Sequence, residues 1–225
     1  MKRNRIKFVI AIVFLIISLI FAIFYKDDIS IFKNYILPVI YIYFIYDSMT
    51  VLIPIPKAYL PSIKHFKKNY TETKDYDKNK LVLIKRDNNI RALITFILYF
   101  GALSILGVIY LKFDFIEDIY IYIIFLLLNL GDYVCILFWC PFRSIILKNN
   151  CCFTCRITNW DRLMKFYILI FIPNIYTLTL VSLGILIFII WEYTHQIHPE
   201  RFYSISNDTL CCKSCNETLC NKKKE

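Results

Sequence analysis

The chain has 225 residues, of which 58% are hydrophobic and 20% are charged, and its formal net charge is +10. Soluble domains contain about 45–50% apolar residues, and here the excess lies in long uninterrupted runs. The composition therefore excludes an ordinary soluble fold and predicts an all-α, polytopic bundle of transmembrane helices in the lipid bilayer. Because the basic residues are concentrated between these runs, the charge indicates membrane topology and no nucleic-acid partner.

Five runs reach the roughly 20 apolar residues that a membrane-crossing helix needs. In chain order they are residues 8–25, 35–55, 92–111, 119–140 and 166–191. The first is longer than the core of a signal peptide, about 7–15 residues, and no small-x-small cleavage site follows it, so we expect a retained anchor. The last contains Pro173, and its reach of roughly 39 Å suffices for only one crossing.

The segments between the predicted spans differ in their content of Lys and Arg. With the N-terminus inside, 19 of the 27 basic residues fall on the inner side and 8 on the outer side. Because inner loops carry the excess of Lys and Arg, we expect an N-in/C-out protein, located in the cell (plasma) membrane. The predicted organisation is a transmembrane domain over residues 1–191 and a Cys-rich tail over 192–225. A basic loop, 56–90, and a Cys-rich loop, 141–165, lie on the inner side.

Four polar residues within the spans are predicted to form a layer at one depth, and they are Asp47, Asp132, Asn129 and Asn174. Each Asp lies eight residues before the inner end of its span, which is about 12 Å along a helix. An Asp near mid-membrane costs about 2.5–3.5 kcal/mol, so it should face a partner or water. Two interpretations stay open. The layer is a proton relay or cation site, or its side chains only hold the helices together.

Eight of the nine cysteines form two groups, and each group contains the string Cys-Cys-x-x-Cys. The inner-loop group is Cys140, Cys151, Cys152 and Cys155, and the tail group is Cys211, Cys212, Cys215 and Cys220. Thiolates select Zn²⁺ or an iron–sulfur cluster, so each group is a candidate metal site. Disulfides are the alternative for the tail in an oxidising compartment. One predicted span separates the groups, so we expect two sites. Glu192, His195 and His198 are further candidate metal ligands, or else a solvated helix end.

Three functional hypotheses follow. The first is a membrane protein with thiolate metal sites or disulfides, and the second is an ion- or proton-coupled small transporter that uses the Asp layer. The third is a membrane thiol–disulfide oxidoreductase, which requires sulfur atoms that meet. Cys135, inside the fourth span, is expected to fill a small space in the core. The sequence has no phosphate-binding glycine loop and no Ser/His/Asp set, which favours a non-enzymatic role. A membrane-protein partner or a second copy of the chain is left open.

Overall fold

The computed structural model describes residues 2–24, 31–53, 64–113, 117–149 and 154–211. Within these ranges the regular secondary structure is entirely helical, and one isolated β-bridge is also present. The α-helices are α1 (Lys2–Phe24), α2 (Leu37–Leu52), α3 (Lys78–Lys112), α4 (Asp118–Leu137), α5 (Asp161–Phe166) and α6 (Ile175–Ile197). Short π-helical turns cover Phe32–Ile36 and Phe142–Ile146, and short 3₁₀ turns cover Lys67–Asn69, Arg156–Asn159, Tyr167–Phe171, Pro199–Arg201 and Asp208–Leu210.

Five helices are long and apolar enough to cross a membrane, which confirms the prediction of a helical membrane bundle. They are Asn4–Phe24, Phe32–Leu52, Lys78–Lys112, Asp118–Leu137 and Ile175–Ile197. Helix α3 begins well before its predicted apolar span because the Asp77 side chain caps it. One carboxylate oxygen of Asp77 accepts the backbone N–H groups of Asn79 and Lys80, at 2.8 and 3.3 Å. Residues 78–91, which the sequence assigned to a loop, are therefore helical.

The predicted fifth span, residues 166–191, is not one helix. The chain leaves helical geometry after Phe171, and α6 starts only at Ile175. Pro173 has no backbone donor to continue the helix. Asn174 then caps α6, since its side-chain oxygen accepts the N–H groups of Tyr176 and Thr177, and its own N–H donates to the Thr177 hydroxyl. The prediction of one continuous span over residues 166–191 was wrong, because the apolar run continues across this helix break.

Residues 156–171, hereafter the 156–171 segment, run parallel to α3. The Tyr99 hydroxyl donates to the Met164 carbonyl at 3.2 Å, and the hydroxyls of Ser104 and Tyr167 lie 2.7 Å apart. Further along, a Cβ added to Gly107 would overlap the Phe171 ring. The contacting residues on α3 thus follow the same order as those of the segment, so the two run in the same direction.

At its beginning the same segment is anchored by Arg156. The guanidinium donates to the Asn89 side chain of α3 and to both carboxylate oxygens of Glu192 on α6. From Asn89 to Gly107 the axis of α3 rises about 27 Å, close to the roughly 30 Å thickness of a hydrocarbon core. The 156–171 segment therefore extends along nearly the whole apolar length of α3.

Aromatic side chains fill the centre of the bundle. The Phe44 ring of α2 lies 4.7 Å from that of Phe125 on α4 and 5.8 Å from that of Phe166 on α5, measured between centroids. All three side chains are buried. Helix α1 packs along α4, with Phe8 and Phe138 6.0 Å apart. These contacts place α5 inside the bundle, although the sequence assigned it to a loop.

The tail and the loop before α3 are joined by hydrogen bonds. The Thr73 N–H donates to the Ser206 carbonyl at 3.1 Å, and the Asp208 N–H donates to the Thr71 carbonyl at 2.9 Å. The ammonium of Lys64 donates to the Thr209 carbonyl at 3.0 Å. Segments that share backbone hydrogen bonds cannot face opposite sides of a bilayer. The described part of the tail therefore does not confirm the N-in/C-out orientation, which placed the tail and this loop on opposite sides.

Candidate functional site

Asp47 is held by two cations in the interior of the bundle. Its carboxylate pairs with the Lys7 ammonium from α1, and its second oxygen lies 2.7 Å from the Arg162 guanidinium of α5. Arg162 also pairs with Asp161, its neighbour in the chain. The Asp47 and Arg162 side chains are 2% and 3% exposed. Since ions so deeply buried require compensating charges, this arrangement binds α1, α2 and α5 to one another.

Lys165, one turn after Arg162, carries the second part of the polar layer. Its ammonium donates to the Asn129 side-chain oxygen at 3.3 Å and lies 3.9 Å from an oxygen of Asp132. It also lies 5.6 Å from the centroid of the Phe44 ring, a favourable position for a cation. The Lys165 side chain is 2% exposed, whereas Asp132 is 22% exposed.

The structure brings together three of the four residues of the predicted layer, Asp47, Asn129 and Asp132. Asn174 is not among them, because it caps α6 and donates to the Tyr122 hydroxyl at 2.9 Å. The cations of the layer were not predicted, because Arg162 and Lys165 fall in the segment assigned to an inner loop. Their spacing of three residues, with apolar residues between and after them, was the signal that could have placed both on one face of a buried helix.

A cavity of about 490 Å³ lies beside this layer, within the size range of small-molecule sites. Its polar lining includes Asp132, Asp161, Arg162 and Lys165. The remaining wall is largely apolar and comes from the second half of α4, the chain after it, and the beginning of the 156–171 segment. The polar layer therefore has a sealed side at Asp47 and an open side at Asp132.

Three cysteines, Cys135, Cys140 and Cys155, line the same cavity. The Cys135 thiol forms a hydrogen bond with the Cys140 sulfur, and the Arg143 backbone N–H donates to that sulfur at 3.5 Å. Both bonds stabilise the thiolate, the one from Cys135 more strongly, and they lower the pKa of Cys140 to about 6. Cys135, expected to be an inert core residue, is instead half of a dithiol on a cavity wall.

No family model, curated protein or solved structure matches this chain.

The predicted metal sites are only partly within the described residues. Cys151, Cys152, Cys212, Cys215 and Cys220 lie outside them. Among the residues that the structure describes, no group of three or more His, Cys, Asp or Glu side chains is arranged to hold a metal ion, and no disulfide is formed. The assignment of zinc or an iron–sulfur cluster stays a prediction.

The candidate ligands near the tail have other partners. Glu192 accepts hydrogen bonds from Arg156 and from the Trp160 indole N–H, the latter at 2.6 Å. The His195 ring nitrogen lies 2.9 Å from the Tyr203 hydroxyl, and that of His198 lies 3.1 Å from a Glu200 carboxylate oxygen. Each histidine thus serves local packing, and the geometry does not bring them together with Glu192.

Proposed function

We propose that the protein is an integral membrane thiol–disulfide oxidoreductase whose redox pair is Cys135 and Cys140. The contact between these two thiols on a cavity wall carries the proposal. Exchange and oxidation both require sulfur atoms that meet, and this pair meets that condition. The two predicted groups on opposite faces would need a carrier between them. The proposed pair combines Cys140, a member of the predicted inner-loop group, with Cys135, which belongs to neither predicted group.

The reaction is a transfer of two electrons. In the reduced protein both sulfurs carry hydrogen or a negative charge. An oxidant such as the disulfide of oxidised glutathione takes two electrons from them and leaves as two thiols, and the protein's sulfurs are joined in a disulfide. A dithiol substrate then restores the pair. One substrate thiolate attacks the disulfide and forms a mixed disulfide, and the second substrate thiolate displaces the protein's sulfur. The substrate leaves as a disulfide and the protein regains two thiols, so that electrons and atoms balance.

A redox titration tests the proposal. Purified protein equilibrated with mixtures of reduced and oxidised glutathione should form a Cys135–Cys140 disulfide, identified by mass spectrometry of alkylated peptides. The expected midpoint lies within the range of redox-active dithiols, about −270 to −120 mV. Cys140→Ser should abolish the disulfide while leaving the protein folded. A pair that stays reduced across that range would overturn the proposal.

We further propose that the 156–171 segment is a sixth crossing. Its length along α3 supports this proposal. The hydrogen bonds between the tail and the loop before α3 also support it, because four crossings would then separate the two, and an even number returns the chain to the same side. An impermeant maleimide provides the test in a cysteine-depleted background. Lys68→Cys and Ser204→Cys should react from one side of the membrane, and Lys112→Cys from the other. Reaction of the first two from opposite sides would exclude a sixth crossing.

Metal binding is a second candidate, favoured by the position of Cys140 and Cys155 on one cavity. Together with Cys151 and Cys152 they would supply thiolates for zinc or an iron–sulfur cluster. Anaerobic purification followed by metal analysis distinguishes the two functions. One metal ion or cluster per chain, lost in Cys155→Ser, supports the metal site, whereas a metal-free protein with a reversible Cys135–Cys140 disulfide supports the redox function.

Ion- or proton-coupled transport is supported by one observation, the open position of Asp132 on the cavity. Three cations and three carboxylates compensate one another in the layer, which disfavours a cation site at Asp47. In reconstituted vesicles a proton-coupled flux that Asp132→Asn abolishes would support transport, and a flux unchanged by this substitution would exclude the role of Asp132.

A further inference from the structure

Apolar, exposed side chains form part of the wall of the cavity beside the dithiol. Leu127, Val134 and Trp139 line it and are 48%, 37% and 55% exposed. Since the first two belong to the apolar helix α4 and Trp139 follows it, they indicate an opening toward the lipid. In a membrane such a surface meets acyl chains. A ligand that enters between these side chains is therefore a membrane-soluble compound.

The inner part of the cavity is suited to a flat ring. The rings of Tyr99 and Phe142 both line it and meet edge to face, with centroids 5.7 Å apart. Aromatic rings arranged in this way favour stacking or edge contacts with a further ring. The wall is thus complementary to an aromatic or quinonoid group.

The polar end of the cavity offers hydrogen-bond donors. Among the described residues, the Nε of Arg162 has no hydrogen-bond partner although the side chain is 3% exposed. That nitrogen atom is itself buried, so Arg162 adds positive charge to this end of the cavity and no direct hydrogen bond to a ligand. The Lys165 ammonium also lines the cavity; it donates to the Asn129 side chain at 3.3 Å and lies 3.9 Å from Asp132. An ammonium has three hydrogens, so a carbonyl oxygen of a neutral ligand would accept from Lys165.

We propose that this cavity binds a membrane quinone, which takes the two electrons of the Cys135/Cys140 dithiol. The inference rests on the proposed oxidoreductase function and names its electron acceptor. At neutral pH the Cys135 S–H bond breaks, and one S–S bond forms between its sulfur and the Cys140 thiolate. The quinone takes two electrons, the Cys135 proton and one further proton from water, and its carbonyl oxygens become the hydroxyls of a hydroquinone. The hydroquinone returns to the lipid through the opening at Leu127 and Trp139.

The test uses full-length reduced protein in nanodiscs and the short-chain quinone decylubiquinone. We expect one quinone to be reduced for each Cys135–Cys140 disulfide formed, with both products quantified in the same sample. Cys135→Ser and Cys140→Ser should each abolish both products. Quinone reduction that persists in either variant would overturn the assignment of the dithiol as the donor.

A pair of glycine substitutions tests the cavity itself. Gly131 lines the cavity and has no atom within 4 Å of an added Cβ, so Gly131→Leu should fill part of the space without a clash. We expect it to slow quinone reduction roughly tenfold or more, as overfilling a binding site does. Gly101→Leu, equally unobstructed but away from the cavity, should leave the rate unchanged. Equal rates in the two variants would place quinone binding elsewhere.

Oxidised glutathione separates failure of this inference from failure of the proposed function. If glutathione forms the Cys135–Cys140 disulfide and decylubiquinone does not, the quinone is wrong and the redox function stands. If neither oxidant forms it, both proposals are overturned. If both oxidants form it and only the quinone reaction slows in Gly131→Leu, both are supported.

Discussion

Asp47 and Asp132 were predicted at one depth with one role, but their surroundings differ. Asp47 is 2% exposed and is bound by two cations from two different helices. Asp132 is 22% exposed, lines the cavity and has its nearest cation at 3.9 Å. The sealed carboxylate is thus part of the scaffold, and the open one belongs to the site. An intramembrane acid is a functional candidate only when its partners leave it accessible.

The largest effect should come from Asp47→Asn. The substitution leaves the Lys7 charge without a carboxylate and Arg162 with Asp161 alone, and breaking a buried ion pair from one side costs about 3–5 kcal/mol. We expect a loss of folded protein, measured by size-exclusion chromatography of detergent-solubilised membranes and by thermal unfolding.

Asp132→Asn is the matched control for Asp47→Asn. Its long pairing distance and partial exposure predict a loss of about 1 kcal/mol or less. Equal instability of the two variants would show that the sealed and open sides of the layer do not differ.

A second ion pair, between Arg156 and Glu192, lies near the C-terminal end of α6, with side chains 9% and 19% exposed. Glu192→Gln removes the charge that accepts hydrogen bonds from Arg156 and Trp160, and we expect a loss of about 1.5–3 kcal/mol. Asp87→Asn is the comparison, because Asp87 pairs with Arg91 one turn away on the exposed surface of α3. Its loss should be about 0.5 kcal/mol. Thermal unfolding of the two variants side by side decides whether burial sets the strength of these pairs.

The packing of the 156–171 segment on α3 can be tested without changing charge. Gly107→Ala forces the Phe171 ring to move, which should cost about 1–2 kcal/mol. Gly101→Ala on the same helix meets no atom within 4 Å and should stabilise by up to about 1 kcal/mol through helix propensity. A change of the same sign in both variants would contradict the placement of the segment beside Gly107.

The smallest expected effect in free energy concerns Cys140, on the cavity side of the polar layer. Since the pKa of Cys140 is lowered to about 6, its thiolate is present above that pH and is lost as the pH falls below it. The rate of alkylation by iodoacetamide should therefore be flat near pH 7 and fall about tenfold per pH unit below pH 6. Cys135→Ala removes the largest cause and should move the midpoint upward. A midpoint near 9 in the unaltered protein would contradict the thiol contact.

The apolar runs were sufficient to predict five long helices, and the bounds of α1, α2 and α4 approximately, since a continuous run of that length has no stable alternative to a membrane helix. The same criterion did not predict that residues 156–165 pack inside the bundle. There Arg162 and Lys165 lowered the apolarity, and their charges are tolerated only because Asp47, Asp132 and Asn129 come from helices distant in sequence. Such compensation is not visible in a local window.

The candidate site shows a similar division. Asp132 could be found as an acid inside an apolar run, and Cys140 as a member of a cysteine group. The pairing of Cys140 with Cys135 depends on the end of α4 at Leu137, after which the chain turns and returns the Cys140 sulfur toward the helix. Helix ends are set by packing as well as by sequence, so this contact required the structure.

The charge pairing of α5 has a consequence for biogenesis. Arg162 and Lys165 each add about 2.5–3.5 kcal/mol to the cost of insertion by the translocon, so their segment cannot enter the bilayer by its own hydrophobicity. Its insertion requires the carboxylates of α2 and α4, Asp47 and Asp132, which are synthesised earlier. Synthesis from the N-terminus thus produces the acids of α2 and α4 before the cations of α5. A chain arrested between these two steps would hold uncompensated carboxylates that quality-control proteases can detect.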